Sequence, residues 1–283
     1  MIVNEFGEIA LDHELMAVGD ETLLALSTGC LCCAIRTDLV DTLLNLDRRR
    51  AAGEIAFARV LIETSGLADP APILHALMTD AALAGRFALG AVVTLVDALL
   101  GQATLAAHPE ARRQVAFADH LVLTKTDLAA PGVGLLEALA ALNAAPPARA
   151  MPPASAVFAA PLALPDPPAL PAHTPGIAAC VIRRIAPVPA LALTLLMQAL
   201  AEQCGGKLLR LKGIADLVEM PDRPAVLHAV QHVVMPVDFL PAWPEGARET
   251  RIVVIGVGIP EHFPARLLDA VISEIEEVES KSQ

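Results

Sequence analysis

Through residues 1 to about 143, short apolar runs rich in β-branched residues alternate with stretches of helical spacing. That alternation predicts a parallel sheet with crossover helices. Strands are expected at Met1 to Asn4, Thr22 to Leu26, Ala58 to Glu63 (ARVLIE), Ala91 to Val96 (AVVTLV) and Leu121 to Leu123 within HLVLTK. Between them, Asp38 to Arg50 (DLVDTLLNLDRRR) sets Leu39, Leu43, Leu44 and Leu46 at helical spacing, with a basic last turn that suits the helix dipole. Val133 to Leu142 reads as another helix. From Asn143 to Gly176 the pattern dissolves into Ala and Pro, which excludes a long helix or a central strand. This stretch reads as a semi-rigid linker with a short strand at Ala156 to Phe158, or as a Pro-rich ligand for an aromatic groove. Periodicity resumes with strand Ala178 to Ile185, helix Ala190 to Gln203, strands Lys207 to Lys212, Leu217 to Glu219, Ala225 to Met235 and Arg251 to Ile255, and helix Glu261 to Ile275. These form a small α+β layer whose acidic end, Glu274 to Glu279, is expected to fray. The domain plan is therefore 1–143, a linker 144–176, and 177–283.

Three of the N-terminal strands end in polar residues: Glu63-Thr64-Ser65-Gly66, Asp97, and Thr124-Lys125-Thr126-Asp127. In open α/β sheets ligands sit beyond the carboxyl ends of the strands, so these residues are placed to meet one. Thr124-Lys125-Thr126-Asp127 fits the (N/T)KxD pattern, in which the Asp carboxylate accepts two hydrogen bonds from guanine N1 and the exocyclic amine while the Lys stem covers the ring. The competing reading is a charged strand end with a helix cap at Asp127. Glu63 and Gly66 follow the run Val60-Leu61-Ile62, where phosphate-binding folds set an acid for Mg²⁺ and a glycine amide for the γ-phosphate. A plain strand-end turn is the alternative.

The densest chemistry lies at Ser27-Thr28-Gly29-Cys30-Leu31-Cys32-Cys33-Ala34, with three of the five cysteines inside four residues. Three thiolates can converge on one soft or borderline cation and leave a coordination position open, which suits transfer of the ion better than permanent structural use. The loop directly precedes a helix, and a helix N-terminus favours thiolate over thiol. The alternative is a small apolar cluster, while bridging adjacent Cys32 and Cys33 would strain a disulfide. Cys180 and Cys204 sit in apolar surroundings and read as core. His228 and His232, four apart on an expected strand, can share a face, but as half-buried sheet residues rather than a metal pair.

The chain has 283 residues, 55% hydrophobic, with a formal charge of −12 and no long Lys/Arg run. The length fits about two domains, and the charge argues against nucleic acid and an anionic membrane surface. No apolar run reaches the ~18 residues of a membrane span, and the N-terminus lacks the pattern of a secretory signal. With an odd, clustered set of cysteines this points to a reducing cytoplasm.

Taken together, Asn4-Glu5-Phe6-Gly7, Gly29-Cys30-Leu31-Cys32-Cys33, Glu63-Thr64-Ser65-Gly66-Leu67-Ala68-Asp69-Pro70, Val93-Thr94-Leu95-Val96-Asp97-Ala98 and Thr124-Lys125-Thr126-Asp127-Leu128 resemble the CobW-type GTPases, metal-handling P-loop proteins akin to the urease and hydrogenase nickel-insertion GTPases. The resemblance implies that Cys30, Cys32 and Cys33 bind Zn²⁺ or a similar ion such as Co²⁺. It also implies that Glu8 to His13 belongs to a switch segment, and that Thr124, Lys125 and Asp127 read guanine. Gly66 would then lie by the γ-phosphate and Glu63 would serve as the catalytic residue, positioning Mg²⁺ or water. Arg210, Lys212 and Gly213, with His228 and His232, match the family's companion C-terminal domain, thought to engage client metalloproteins.

One departure is large. The family's phosphate loop, GxxxxGK(S/T), precedes the NEFG strand, and no equivalent occurs in the 283 residues. The expected fold is accordingly α/β, a P-loop GTPase-like parallel sheet without its first strand and helix, followed by a smaller α+β domain. Neighbouring strands would be left with an exposed apolar flank. An upstream start is expected, the surviving motifs presupposing the missing one. The functional expectation is a GTP-dependent, Mg²⁺-requiring metal chaperone that passes its ion to a client metalloprotein, with neither nucleic acid nor membrane as partner. The contrasting expectation is a nucleotide-independent metal-binding or client-docking protein.

Overall fold

The structure, a computed structural model, describes residues 2–3, 24–25, 34–66, 68–143, 145–150, 177–244 and 248–281. It divides into two compact units, Met1–Leu89 and Gly90–Gln283.

The first unit holds a parallel ladder of β1 (Ile2–Val3), β2 (Leu24–Ala25) and β3 (Ile62–Glu63), in the order β2-β1-β3. Ile2 stands opposite Leu24 on one side and Ile62 on the other. Helix α1 (Ala34–Ala51) begins at the residue after Cys33 and buries Leu39, Leu43 and Leu46 of the expected stripe together with Val40, while Leu44 is only partly buried. These pack with Ala76 of α2 (Pro70–Thr79) and with Leu83. Asp69 caps α2 by accepting from Ala71 N at 3.0 Å, with Pro70 at the first helical position. Asp47, buried on α1, is satisfied by Arg50 at 2.8 Å and Arg86 at 2.7 Å. The strand expected over Ala58 to Glu63 shrinks to its last two residues, and Leu61 is 49% exposed. An apolar run becomes a strand only where a neighbour takes up its backbone hydrogen bonds.

In the second unit β4 (Val93–Asp97) pairs in parallel with β5 (His120–Thr124), Asp97 opposite Thr124. On β5, a bridge to Ala148 closes the other edge, Leu123 N donating to Ala148 O at 2.7 Å. On β4, β5 is the one partner among the described residues, and mid-strand Leu95 is 61% exposed, as at an open sheet flank. Helices α3 (Gly101–Ala107), α4 (Pro109–Phe117) and α5 (Val133–Leu142) support this pair. Asn143, buried at the end of α5, donates to Val115 O and Ala118 O at 2.6 and 2.8 Å and so fastens α5 to the turn entering β5.

The antiparallel sheet follows. It comprises β6 (Ile177–Arg184), β7 (Leu208–Leu217), β8 (Met220–Val230), β9 (Val233–Val234), β10 (Asp238–Phe239) and β11 (Thr250–Val257), in the order β10-β8-β7-β11-β6 with β9 beside β8. Helices α6 (Ala190–Cys204) and α7 (Phe263–Lys281) cover one face. Leu193, Leu196 and Leu200 of α6 and Leu268 and Ile272 of α7 meet Cys180, Ile182, Leu211, Leu227, Ile252 and Val254 in one core. The strand expected over Lys207 to Lys212 runs on as β7 to Leu217, whereas Val218 and Glu219, expected as strand, form the turn into β8. Gly213 lies inside β7 because a side chain there would approach Arg251 O to 2.6 Å. The strand expected to Met235 instead breaks at a turn, with Gln231 at φ 51°, and resumes as β9. His232 therefore sits exposed on that turn, off the ladder that holds His228. Helix α7 continues to Lys281, past the acidic end expected to fray. Trp243, the sole tryptophan, lies 5.4 Å from the Arg248 guanidinium, which forks onto buried Asp216 with two bonds of 2.8 Å. Most of the Pro/Ala linker, 151–176, lies outside the described residues.

Candidate functional site

Two parallel strands end together at Asp97 and Thr124, and the chemistry collects just past them. Asp97 Oδ1 accepts from Leu99 N at 2.7 Å and Leu100 N at 3.0 Å, so the turn that leaves β4 holds the carboxylate in place. Its other oxygen, Oδ2, accepts from Lys125 Nζ at 2.6 Å. Ala98 N donates to Thr124 O at 3.0 Å and locks the two exits side by side. The hydrogen bond from Lys125, then those from the Leu100 and Leu99 amides, hold the Asp97 carboxyl below the usual carboxylate range. Lys125 has φ 55°, a left-handed backbone that a non-glycine residue adopts at a cost. Leu128 N and Ala129 N both donate to Lys125 O, at 3.0 and 3.2 Å, and stabilise that turn.

Asp127 is exposed two residues on and has no hydrogen-bond or ion-pair partner among the described residues. It does not cap α5, whose N-cap is Gly132. In the segments that follow the two strands, the apolar side chains of Leu99, Leu100, Leu128 and Val133 are each more than half exposed. Gly101 lets α3 sit close to β4 and α5, since a side chain there would meet Val96 and Leu135 at 3.0 and 3.2 Å.

Glu63 ends β3 in the first unit with an exposed side chain, and Gly66 lies exposed in the turn that follows. A side chain added at Gly66 would meet nothing within 4 Å. Cys30, Cys32 and Cys33, and the segment Glu8 to His13, lie outside the described residues. Among the described residues no group of three or more His, Cys, Asp or Glu side chains could hold a metal ion. Cys180 is buried in the C-terminal core, where burial first, then Glu261 and Cys204, push its thiol up to about 11, so it is a poor metal ligand. No described helix is long and apolar enough to cross a membrane.

The sequence marks Asp97 only as a polar strand end and gives no sign of Asp119. Asp119 precedes β5 and is almost wholly buried. One of its oxygens takes Arg210 at 2.5 Å and Lys212 at 2.8 Å, and the other takes Val92 N at 2.8 Å. Arg210 also donates to Phe117 O. Burial raises the Asp119 pKa, but Arg210 and Lys212 outweigh it and hold the group below the ordinary carboxylate value. His228, opposite Lys212 in the ladder, falls to about 4 through burial and the nearby Arg210 and Lys212. The two-residue spacing of Arg210 and Lys212 signals a shared strand face; their carboxylate, some ninety residues earlier, leaves no local signal.

A family model described as the CobW/HypB/UreG nucleotide-binding domain matches residues 1–150. A second, the cobalamin synthesis protein cobW C-terminal domain, matches residues 177–272. Among curated proteins, the chain is 38% identical over 147 residues to the zinc chaperone YjiA of Escherichia coli, a match covering 52% of this chain and 46% of that protein. It is 35% identical over 134 residues to the zinc chaperone CobW of Pseudomonas aeruginosa, covering 42% and 34% respectively. Against the zinc-regulated GTPase metalloprotein activator 1 of Schizosaccharomyces pombe it is 33% identical over 135 residues, covering 45% and 32%. The chain thus spans less than half the length of these curated relatives. In three dimensions it resembles the Zn(II)-bound YjiA GTPase of E. coli, with a TM-score of 0.70 at 24% identity, over 95% of this chain and 89% of that one, a likeness of fold. With a nucleotide-binding model matched over more than half its length and the companion domain behind it, the chain belongs to the CobW/HypB/UreG family.

Proposed function

We propose that this protein is a guanine-nucleotide-dependent metal chaperone whose cargo is zinc, carried by Cys30, Cys32 and Cys33 and passed to a client metalloprotein. The observation that carries the nucleotide half is the pairing at the exit of β5. Lys125 is neutralised by Asp97, while Asp127 beside it is an exposed acceptor without a partner among the described residues. A carboxylate so placed suits a base edge with two adjacent donors, which guanine has and adenine lacks. Thr124 holds the strand exit through its carbonyl. The base-reading residues therefore fit guanine. The phosphate side is another matter, because GxxxxGK(S/T) does not occur in these 283 residues, and Glu63 and Gly66 alone cannot cradle a triphosphate. Glu63 is assigned to Mg²⁺ or water on the strength of its strand-end position.

The zinc half rests on the thiol cluster and on the relatives, which carry the name of zinc chaperone. A structure of YjiA with one glutamate and two consecutive cysteines replaced by alanine is still Zn(II)-bound, so stoichiometry must be read alongside affinity. Competition of the reduced chain against a chromophoric zinc chelator tests this. One tight Zn²⁺ per chain is expected, lost when Cys32→Ser and Cys33→Ser are combined; unchanged tight binding in that variant overturns the assignment. The second reading is a metal-binding or client-docking protein working without nucleotide. Titration with a fluorescent GTP analogue decides between them: Mg²⁺-dependent sub-micromolar binding excludes the second reading, and no binding excludes the first for this chain.

A further inference from the structure

The two residues of the guanine pattern that project from the β5 exit are not equivalent. Among the described residues Asp127 has no partner, whereas the Lys125 ammonium is already engaged. Its partner is built for the purpose. One oxygen of Asp97 is consumed by two backbone amides and the other is turned toward Nζ at 2.6 Å. The two residues lie at the ends of adjacent parallel strands, held at a fixed offset by the Asp97–Thr124 register and the Ala98–Thr124 bond. Lys125 leaves its strand in a left-handed conformation, so without a partner its long stem has many directions open to it. With Nζ tethered to β4, the methylene stem bridges the two strand ends beside exposed Leu99 and Leu100, as an apolar bar.

Resting on the guanine-binding reading, we infer that Asp97 is a positioning residue for the base site. It fixes the Lys125 stem as the surface on which the purine ring lies and leaves the hydrogen-bond reading to Asp127. The division of labour has a distinctive consequence. Covering a ring is indifferent to its substituents, so Asp97 contributes equally to guanine and to hypoxanthine, which lacks the exocyclic amine. Asp127 discriminates between them.

The test compares GDP and inosine diphosphate binding to the full chain in wild type, Asp97→Asn, Lys125→Ala, their double variant and Asp127→Asn. Asparagine keeps an acceptor for the Leu99 and Leu100 amides and removes the charge, so the turn survives. Asp97→Asn is expected to weaken both nucleotides alike, by about 3- to 5-fold, the size an exposed ion pair supplies. It should add nothing once Lys125 is alanine. Asp127→Asn is expected to weaken GDP by about 10- to 100-fold, with a smaller loss for the inosine nucleotide. An Asp97→Asn effect that persists undiminished in the Lys125→Ala background, or that changes the ratio of the two nucleotides, overturns the assignment. A second measurement needs no nucleotide: acetylation of Lys125 by a water-soluble anhydride, followed by mass spectrometry. Release from Asp97 should raise its rate by about two- to fivefold in Asp97→Asn. Equal rates overturn the positioning role even if the chain binds no nucleotide, while a failure to bind GDP with a raised acetylation rate overturns only the guanine reading.

Discussion

Strand β5 carries a carboxylate–lysine pair near each end, and the two pairs have opposite surroundings. Past its carboxyl end, Asp97 and Lys125 meet at 2.6 Å with side chains 22% and 53% exposed. Before its amino end, Asp119 meets Lys212 at 2.8 Å and Arg210 at 2.5 Å, with all three side chains at 14% exposure or less. Water screens the first pair and contributes to solvating its charges, so its consequence is orientation rather than stability. The second has surrendered its hydration and must recover it from partners, so its consequence is cohesion: it fastens the start of β5 to the antiparallel sheet. The same strand is thus anchored where it enters and exposed where it leaves. A ligand-reading end needs such an arrangement, a rigid support behind groups that can still exchange partners.

The comparison breaks most sharply if Asp119 is removed. Asp119→Ala strands two cations in the interior and should cost roughly 3–5 kcal/mol in chemical denaturation. A loss no larger than that of an exposed pair would show that the buried end is not the anchor. Next comes His228, flanked by Lys212, Arg210 and Asp119. Its folded pKa of about 4 lies below the ordinary 6.5, so between those values the unfolded chain binds the extra proton. Stability should therefore fall by up to roughly 3 kcal/mol as pH drops from 6.5 to 4. His228→Leu should flatten that stretch of the profile. Asp119, whose pKa is depressed, acts in a more acidic window. Its contribution is present above the unfolded value of about 3.9 and is lost as pH falls through the folded one. Asn143→Ala, which takes the side-chain donor from Ala118 O and leaves Val115 O with the Ala118 amide alone, is expected to cost about 1–3 kcal/mol. Smallest is Asp97→Asn, which keeps the acceptor for the Leu99 and Leu100 amides and should leave the unfolding midpoint at its wild-type position while altering Lys125 reactivity; a large drop in the midpoint would erase the distinction between the ends.

How much of the molecule is legible in its sequence follows from what each signal encodes. Helix α5 and the stripe of α1 stand at their expected positions because apolar periodicity and burial are the same information there. Helices α2 and α4 escape a reading by periodicity, although Asp69 with Pro70 marks the start of the first and Pro109 that of the second. Their small, Ala-rich or charged faces make weak stripes, and the cap carries the signal instead. The strand expected to end at Lys212 runs on through Gly213, the point where β7 and β11 approach too closely for a side chain. The apolar run within Ala58 to Glu63 reads as strand, but side-chain pattern does not report whether a neighbour exists. At the site, the guanine pattern is visible because it is contiguous. Asp97 is visible only as a polar strand end, since its bond to Lys125 spans 28 residues. The Asp119 anchor is hidden for the same reason, over 91 and 93 residues.

Trp243 turns the molecule into its own optical gauge. The chain has no tyrosine and a single tryptophan, so ultraviolet emission excited at its indole band arises from one spot, packed against Arg248 and donating to Pro221 O at 3.4 Å. That spot belongs to the antiparallel sheet, whereas the thiols and the guanine pattern lie in the segment before the linker. A shift in emission on adding zinc or a nucleotide would therefore report from the antiparallel sheet, with no label attached.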